Sequence, residues 1–381
     1  MTEINNSKPI LVYFNPDCYV DTDLTILKHL TSDYKVIWFY LYESLKAGSM
    51  GYNPSLAKEY AVKHGIVLEV FDPRMRRRNP LNIVFYREIA KKINAYHPDI
   101  VYACNLFPFW AYCKPLIQCN TKVLGLHDVI SHSYSFSISR TVMLKCNNLL
   151  MKSFENILTF SKNQHDVLLN RYGKESYLVG MSCKNLGTTQ KIPCPIKDGI
   201  DLLFFGSIHL YKGLDILINT IEVVISEGIN NLRLTIAGNG KLWEQYSKLI
   251  KTPEYYNLNI RFIDNNEIPD LMGAHHFLVL PYRDATQSGP LAIAIGYNLP
   301  IIAPNFGCFE ENYDNSSAIL YEKGELKKAL CKAAHISQQE YDDMKASTEK
   351  IREKCSEIKI AEKYKEAFSL IISDNKKLYT R

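Results

Sequence analysis

The sequence predicts an α/β protein built from two doubly wound parallel-sheet domains, and three observations carry that prediction. Short, almost continuously apolar runs, such as ILVYF at Ile10–Phe14 and the run His276–Pro281, read as strands buried on both faces. These runs alternate with helical stretches, the pattern of a parallel sheet wrapped by helices. The alternation pauses at Met181–Gly199, which is poor in large apolar residues and rich in Lys, Thr, Gly and Pro, and then restarts. That stretch reads as a linker.

In the first half, Ile10–Phe14 is the first strand and Asn15-Pro16-Asp17 a turn signal. Asp23–Leu30 suits a short helix, Lys35–Tyr42 a strand, Pro54–His64 a helix and Val67–Phe71 a strand. Leu81–Tyr96 is amphipathic, with Ile83, Ile89 and Ile93 among its apolar positions. Ile100–Cys104 and Val123–Leu126 are further strands, Val142–Phe154 a helix and Ile157–Phe160 a strand. Ser161 caps the helix that follows, and Tyr177–Val179 closes this half.

The second half opens with the strand Asp201–Phe205, ending in Gly206, and the helix Leu214–Ser226. Leu232–Ala237 is a strand before Gly238-Asn239-Gly240, Leu242–Ile250 a helix, Ile260–Ile263 a strand and Ile268–Met272 a short helix. After His276–Pro281 comes a polar loop, Tyr282–Gln287. Ser288 can cap the next helix, with Pro290 in its first turn, where a missing N–H costs little. Asn298 suits a left-handed stop, and Pro300–Ala303 makes the next strand. Ala318–Tyr321 is the last strand, and Glu325–Ile372 is helical in period. The expected domains are 1–182 and 200–357, joined by 183–199, with a C-terminal helix near 358–381 packing back on the first domain.

The chain has 381 residues, 46% of them hydrophobic and 22% charged, which suits a globular protein of two domains. No apolar run reaches spanning length, and the polar start MTEINNSKP shows no signal peptide. A net charge of +5 is too mild to imply nucleic acid. The ten cysteines are scattered without CxxC or zinc spacing, which suits a reducing cytoplasm. Acidic residues near the strand ends have no ligand spacing, so neither a metal nor another cofactor is expected. Arg74, Arg76, Arg77 and Arg78 form one basic cluster, suited either to an anionic membrane surface or to a solvated loop.

Residues with chemistry gather at strand ends. Gly206-Ser207 precedes Lys212-Gly213, where a lysine can reach a phosphate as a point charge. Gly238-Asn239-Gly240 is a tight turn that lets backbone approach a ligand. The loop before Ser288 leads into a helix N-terminus, whose N–H groups and dipole favour an anion, and Gly289 admits close approach. In the first half, His127 and Asp128 follow a buried strand, with His132 five residues on. Seen alone, His127 reads as a loop residue held by hydrogen bonds, or as a contact for a sugar hydroxyl.

These marks, in this order, resemble the family 4 glycosyltransferases of the GT-B fold. The resemblance covers nearly the whole chain and is strongest over LFFGSIHLYKGLDILI, LTIAGNG and the strand–loop–helix ending in LPIIAP. LHDV and TFSKNQHDVLL add the first half. The resemblance implies retaining transfer of a hexosyl unit from a UDP- or GDP-sugar to a polysaccharide or lipid-linked oligosaccharide. A peripheral membrane contact is implied where the acceptor is lipid-linked. Lys212 matches the lysine that binds the diphosphate. Ser288 and Gly289 lie where a helix N-terminus meets the same group, with Thr286 and Gln287 bordering the sugar and phosphates. Gly206, Ser207, Gly238, Asn239 and Gly240 line the donor side, and Ile263, Asp264 and Asn265 fall near the base. His127 matches the histidine that contacts the transferred sugar. The acceptor is expected near Asn15, Asp128 and His132.

The sequence also departs from the family. Two glutamates separated by seven residues are replaced by Ala285 and Ile293, and the arginine after the strand-end glycine is Ser207. The glycine-rich loop after the first strand is Asn15-Pro16-Asp17. Branches with a Thr-Gln-Ser-Gly loop exist, so a divergent active enzyme is expected. A non-catalytic nucleotide-sugar binding subunit and a GT-B nucleotide-sugar epimerase are the alternatives.

Overall fold

The computed structural model describes residues 8–17, 20–42, 44, 53–73, 75, 79–104, 108–127, 129, 138–285 and 287–379. The chain divides into two compact units, Met1–Ser182 with Glu357–Arg381, and Cys183–Ser356.

In the first unit, parallel strands β1 (Ile10–Pro16), β2 (Lys35–Leu41), β3 (Val67–Phe71), β4 (Ile100–Ala103), β5 (Thr121–Leu126), β6 (Asn156–Thr159) and β7 (Tyr177–Leu178) form a sheet in the order β3-β2-β1-β4-β5-β6-β7. The period-2 geometry of a strand divides the apolar residues of β2 between the two faces. Val36, Trp38 and Tyr40 pack on one side with α1 (Val20–Leu30), α2 (Pro54–His64) and α14 (Glu357–Tyr379). Ile37, Phe39 and Leu41 pack on the other with α3 (Ile83–Ala95) and α4 (Phe109–Cys113). Helices α5 (Ile138–Lys152) and α6 (Lys162–Tyr172) complete that second layer through Met151 and Leu168. The C-terminal helix is fixed by a 2.7 Å ion pair from Glu357 to Lys28, another of 2.6 Å from Lys365 to Asp33, and an edge contact of Phe368 on Tyr34.

The second unit repeats the plan. Strands β8 (Ile200–Phe205), β9 (Leu232–Ala237), β10 (Tyr256–Asn259), β11 (Phe277–Val279), β12 (Ile301–Pro304) and β13 (Ala318–Tyr321) are all parallel, in the order β10-β9-β8-β11-β12-β13. One face carries α7 (Leu214–Ser226) and α12 (Leu326–Ala334), the other α9 (Ile268–Gly273), α10 (Gly289–Gly296) and α11 (Cys308–Asn312). Strand order reverses between β8 and β11, and the crevice beyond the carboxyl ends of those two strands is where such sheets bind ligands.

The stretch read as the linker between domains, 183–199, is hydrogen-bonded to this unit at its start. Cys183 N–H donates to Cys355 O at 2.7 Å, Lys184 N–H to Ala292 O at 2.9 Å, and Leu186 N–H to Tyr297 Oη at 3.0 Å. At the amino ends of β8 and β11, Cys194, Asp201 and His276 lie together. The Asp201 N–H donates to His276 Nδ1 at 2.9 Å, leaving Nε2 to donate to the Cys194 carbonyl at 2.9 Å, and Arg233 pairs with Asp201.

Three element boundaries differ from expectation. The strand expected at Ile260–Ile263 is β10, four residues earlier, because a polar YNLN edge strand needs no apolar run. The expected helix Leu242–Ile250 is α8 (Trp243–Tyr246) followed by a 3₁₀ turn at Ser247–Leu249. The stretch Glu325–Ile372, helical in period, is resolved into three helices, the second being α13 (Gln338–Lys354). Ser337 and Glu340 form a reciprocal capping box that starts α13.

Gly238 is a structural keystone of the carboxyl edge. It has φ +144°, and a Cβ there would sit 2.0 Å from the Gly206 carbonyl oxygen. Its absence lets the turn after β9 stack on the turn after β8, with Gly206 N–H donating to Ala237 O and Ile208 N–H to Asn239 O. Gly238→Ala is expected to cost about 3 kcal/mol or more in urea unfolding, through backbone strain and displacement.

Candidate active site

The crevice beyond β8 and β11 is built by three short segments of the second unit. The first is the turn after β8, where Gly206 at φ +114° leads to a 3₁₀ turn, Leu210–Lys212. The second is the loop from Pro281 to Gln287. The third is the start of α10, where Ser288, in extended backbone, accepts from Leu291 N–H at 3.3 Å and Pro290 occupies the first turn.

Gly206 brings these together. A Cβ at this position would lie 2.9 Å from Lys212 Nζ and 3.5 Å from Pro290 Cγ, so the ammonium and the first turn of α10 meet over the same glycine. Lys212 is 5% exposed. Its Nζ lies 5.7 Å from the centre of the Tyr282 ring, whose face attracts a cation. Tyr282 is buried, and its hydroxyl lies 3.3 Å from Ser288 Oγ. Among the described residues no carboxylate pairs with Lys212. Burial alone pushes its pKa down from 10.5 to about 8. Beside it, the open space in front of Gly289 leaves the tip of α10 accessible. A cation stripped of water and a helix N-terminus, side by side, make a seat for a multiply charged anion.

The other residues singled out in the sequence are placed as follows. Gly240 packs like Gly238, with its Cβ position 2.3 Å from Ile208 O, while Asn239 and Ser207 are exposed. Gln287 is half-buried beside Ser288. Ile263 is buried and Asp264 exposed, both in the segment between β10 and α9. Ala285 and Ile293, at the positions of the family's glutamate pair, are buried in the apolar cluster that includes Tyr282 and Phe309. Thr286 lies outside the described residues.

In the first unit, His127 follows β5, half-buried, with its ring stacked on Phe160 at 4.1 Å. Asn15 corrects an expectation. It is fully buried, its amide donates to Asp23 Oδ2 at 2.7 Å, and its carbonyl accepts from Trp38 Nε1 at 2.6 Å. Both ends of that side chain serve the interior of the sheet, so it is not free to meet an acceptor. Asp128, His132 and the cluster Arg74, Arg76, Arg77 and Arg78 lie outside the described residues.

Sequence reasoning singled out Gly213 but missed the other residues around Lys212, namely Tyr282, Arg283 and Asp215. Arg283 pairs with Asp215 at 2.7 Å, and a Cβ on Gly213, at φ +67°, would lie 1.9 Å from Pro281 O. The dipeptide Lys212-Gly213 was the available signal: Tyr282 and Arg283 come from a loop distant in sequence, and Asp215, three residues on, does not announce a partner 68 positions away.

Residues 199–336 match the profile of the family described as glycosyl transferases group 1. No curated protein matches the chain by sequence. Among solved structures, HepE of Anabaena in complex with UDP and glucose is similar, 16% identical over 94% of this chain and 99% of that one, with a TM-score of 0.67. WaaG, a glycosyltransferase involved in lipopolysaccharide biosynthesis, is 14% identical over 94% and 98%, with a TM-score of 0.64. A mutant of S. aureus TarM in complex with fondaparinux, alpha-GlcNAc-glycerol and UDP is 10% identical over 95% and 99%, with a TM-score of 0.64. Likeness over nearly full length establishes the GT-B fold.

The buried ammonium carries a stability signature. The unfolded chain keeps the Lys212 proton up to about pH 10.5, whereas the folded chain releases it near pH 8. The unfolded state therefore binds more protons between those values, and stability rises with pH across that window, in total by roughly 3 kcal/mol. Lys212→Met is expected to be more stable than the native chain at pH 7 in urea unfolding, with the gap closing toward pH 10.

Proposed function

We propose that this chain, whose fold is GT-B and whose residues 199–336 match the group 1 glycosyl transferases, is a family 4-like glycosyltransferase that moves a hexosyl unit from a UDP- or GDP-sugar to a polysaccharide or lipid-linked oligosaccharide acceptor in cell-surface glycan synthesis, with retention at the anomeric carbon. The observation that carries this reading is the buried Lys212 ammonium, without a carboxylate partner among the described residues, set beside the α10 N-terminus. UDP bound in HepE and TarM supports a nucleoside diphosphate as the anion seated there.

In this mechanism the diphosphate approaches Gly289 and Ser288 while Lys212 neutralises its charge. As the bond from the anomeric carbon to the diphosphate breaks, negative charge grows on the leaving oxygen. The fixed ammonium and the helix dipole stabilise that charge most in the transition state, because both are oriented before reaction and the ammonium is buried. The leaving phosphate takes the acceptor's proton, so the chain supplies no carboxylate base. This agrees with the apolar character of Ala285 and Ile293. By the family resemblance His127 is assigned to the transferred sugar, and Thr286 and Gln287 to the donor sugar and phosphates. The same resemblance assigns Gly206, Ser207 and Gly238–Gly240 to the donor side, Ile263 and Asp264 to the base, and Asp128 and His132 to the acceptor. The protein works in the cytoplasm, meeting the inner face of the membrane peripherally where its acceptor is lipid-linked. Among the described residues no helix is long and apolar enough to cross a membrane.

Ala285, Ile293 and Ser207 favour one second reading, a nucleotide-sugar binding subunit without turnover. Tight binding of UDP or GDP with no transfer across a broad acceptor panel supports it over the first. Interconversion of donors with no acceptor present instead identifies an epimerase.

Two substitutions test the first reading. Lys212→Ala is expected to lower transfer roughly 100-fold or more with the fold intact; unchanged turnover removes Lys212 from the mechanism. Gly289→Ala is expected to leave stability within about 1 kcal/mol of the native chain, since its Cβ meets nothing within 4 Å, while weakening UDP or GDP binding by calorimetry. NMR of the product's anomeric proton checks retention.

A further inference from the structure

The turn that carries Lys212 is a single 3₁₀ turn with two internal backbone bonds, Lys212 N–H to His209 O at 3.0 Å and Gly213 N–H to Leu210 O at 3.2 Å. Such a turn is weak by itself, yet it holds a long, flexible cation in a dry site. Its support comes from Arg283, in the loop after β11. The Arg283 N–H donates to Tyr211 O at 2.6 Å, and Nη1 donates to Leu210 O at 2.5 Å. The same guanidinium forks onto Asp215, with Nη1 to Oδ1 at 2.9 Å and Nη2 to Oδ2 at 2.7 Å. Asp215 lies in the first turn of α7, where the helix dipole favours a carboxylate. One residue thus grips the chain two places before, one place before and three places after Lys212. The fork also engages Asp215, which therefore does not neutralise the ammonium. Gly213 lets Pro281 O sit directly against the turn, joining it to the loop that leads to Ser288.

We propose that Arg283, acting through Asp215 and the Leu210 carbonyl, is the positioning residue that holds the Lys212 ammonium dry and aimed at the diphosphate. This rests on the reading of Lys212 as the diphosphate-binding cation. Arg283 fixes where the charge sits, and a lysine in its place cannot supply the same fork.

The test is UDP and GDP binding to the full chain by calorimetry between pH 7 and 9. The other titratable groups facing Lys212 are His209 and Tyr282. Burial, aided by the Lys212 charge, holds His209 below its usual range, and burial raises Tyr282 far above its own, so neither titrates here. Native affinity is expected to be level up to about pH 8 and to fall above it. Arg283→Met is expected to bind roughly ten- to hundredfold more weakly at pH 7, with the fall moved to higher pH as the ammonium regains water. Asp215→Asn, nearly isosteric and the safer variant for folding, is expected to shift both in the same direction. The double variant is expected to add little, as for two members of one network. Native-like binding in both single variants overturns the proposal. So does weaker binding with the fall still near pH 8, which marks Arg283 as a direct ligand contact or a general support of the fold. Native-like binding by Lys212→Ala, in contrast, defeats the reading of Lys212 itself.

Discussion

A lysine ammonium buried against a tyrosine ring, with no carboxylate paired to it among the described residues, is the constraint on which the rest of the second unit depends. Burying a lone charge is costly, and a chain selected for stability alone would replace it with an apolar side chain of the same size. Here the charge is retained at the crevice where the strand order of this sheet reverses, beside the first turn of a helix capped by Ser288. A ligand that brings negative charge removes the penalty, so the instability of the empty site becomes affinity for the filled one.

The surrounding glycines and loops keep that charge in one place. Gly206 leaves room for the ammonium, Gly213 for the Pro281 carbonyl, and Gly238 for the Gly206 carbonyl. Each is a close approach that a side chain would block. Together they stack the turns after β8 and β9 and the loop after β11 into one rigid edge, and Arg283 fastens that edge with charged hydrogen bonds. Ala285 and Ile293 add apolar side chains to the cluster around Tyr282. The buried ammonium and the N-terminus of α10 are both positive, which suits stabilisation of a leaving phosphate more than general acid–base chemistry.

Much of this was legible in the sequence because it is written in local chemistry. Ser288 caps its helix, Pro290 sits in the first turn, and Asn298 is left-handed at φ +53°, all from residue types with one strong conformational reason to be there. The buried strands announced themselves as apolar runs. The edge strand Tyr256–Asn259 did not, because an edge exposes its residues and loses that signature. Asn15 misled for a related reason. A polar residue at a strand end reads as a loop, and only the fold reveals Asp23 and Trp38 beside it. The break before Gln338 was present as the Ser337–Glu340 capping pair but was masked by the continuous helical period around it. The Arg283–Asp215 fork spans 68 positions, beyond the reach of any local pattern.

The central claim is that the diphosphate is met by a lysine whose proton is loosely held until ligand arrives. Counting protons on binding tests it most directly, using UDP titrations at pH 9 in buffers of different ionisation enthalpy. Lys212, with a pKa near 8 when the site is empty, is then largely neutral, so binding is predicted to take up about one proton, and the Lys212→Ala chain none. Tight UDP binding by the native chain with no proton uptake would contradict the account.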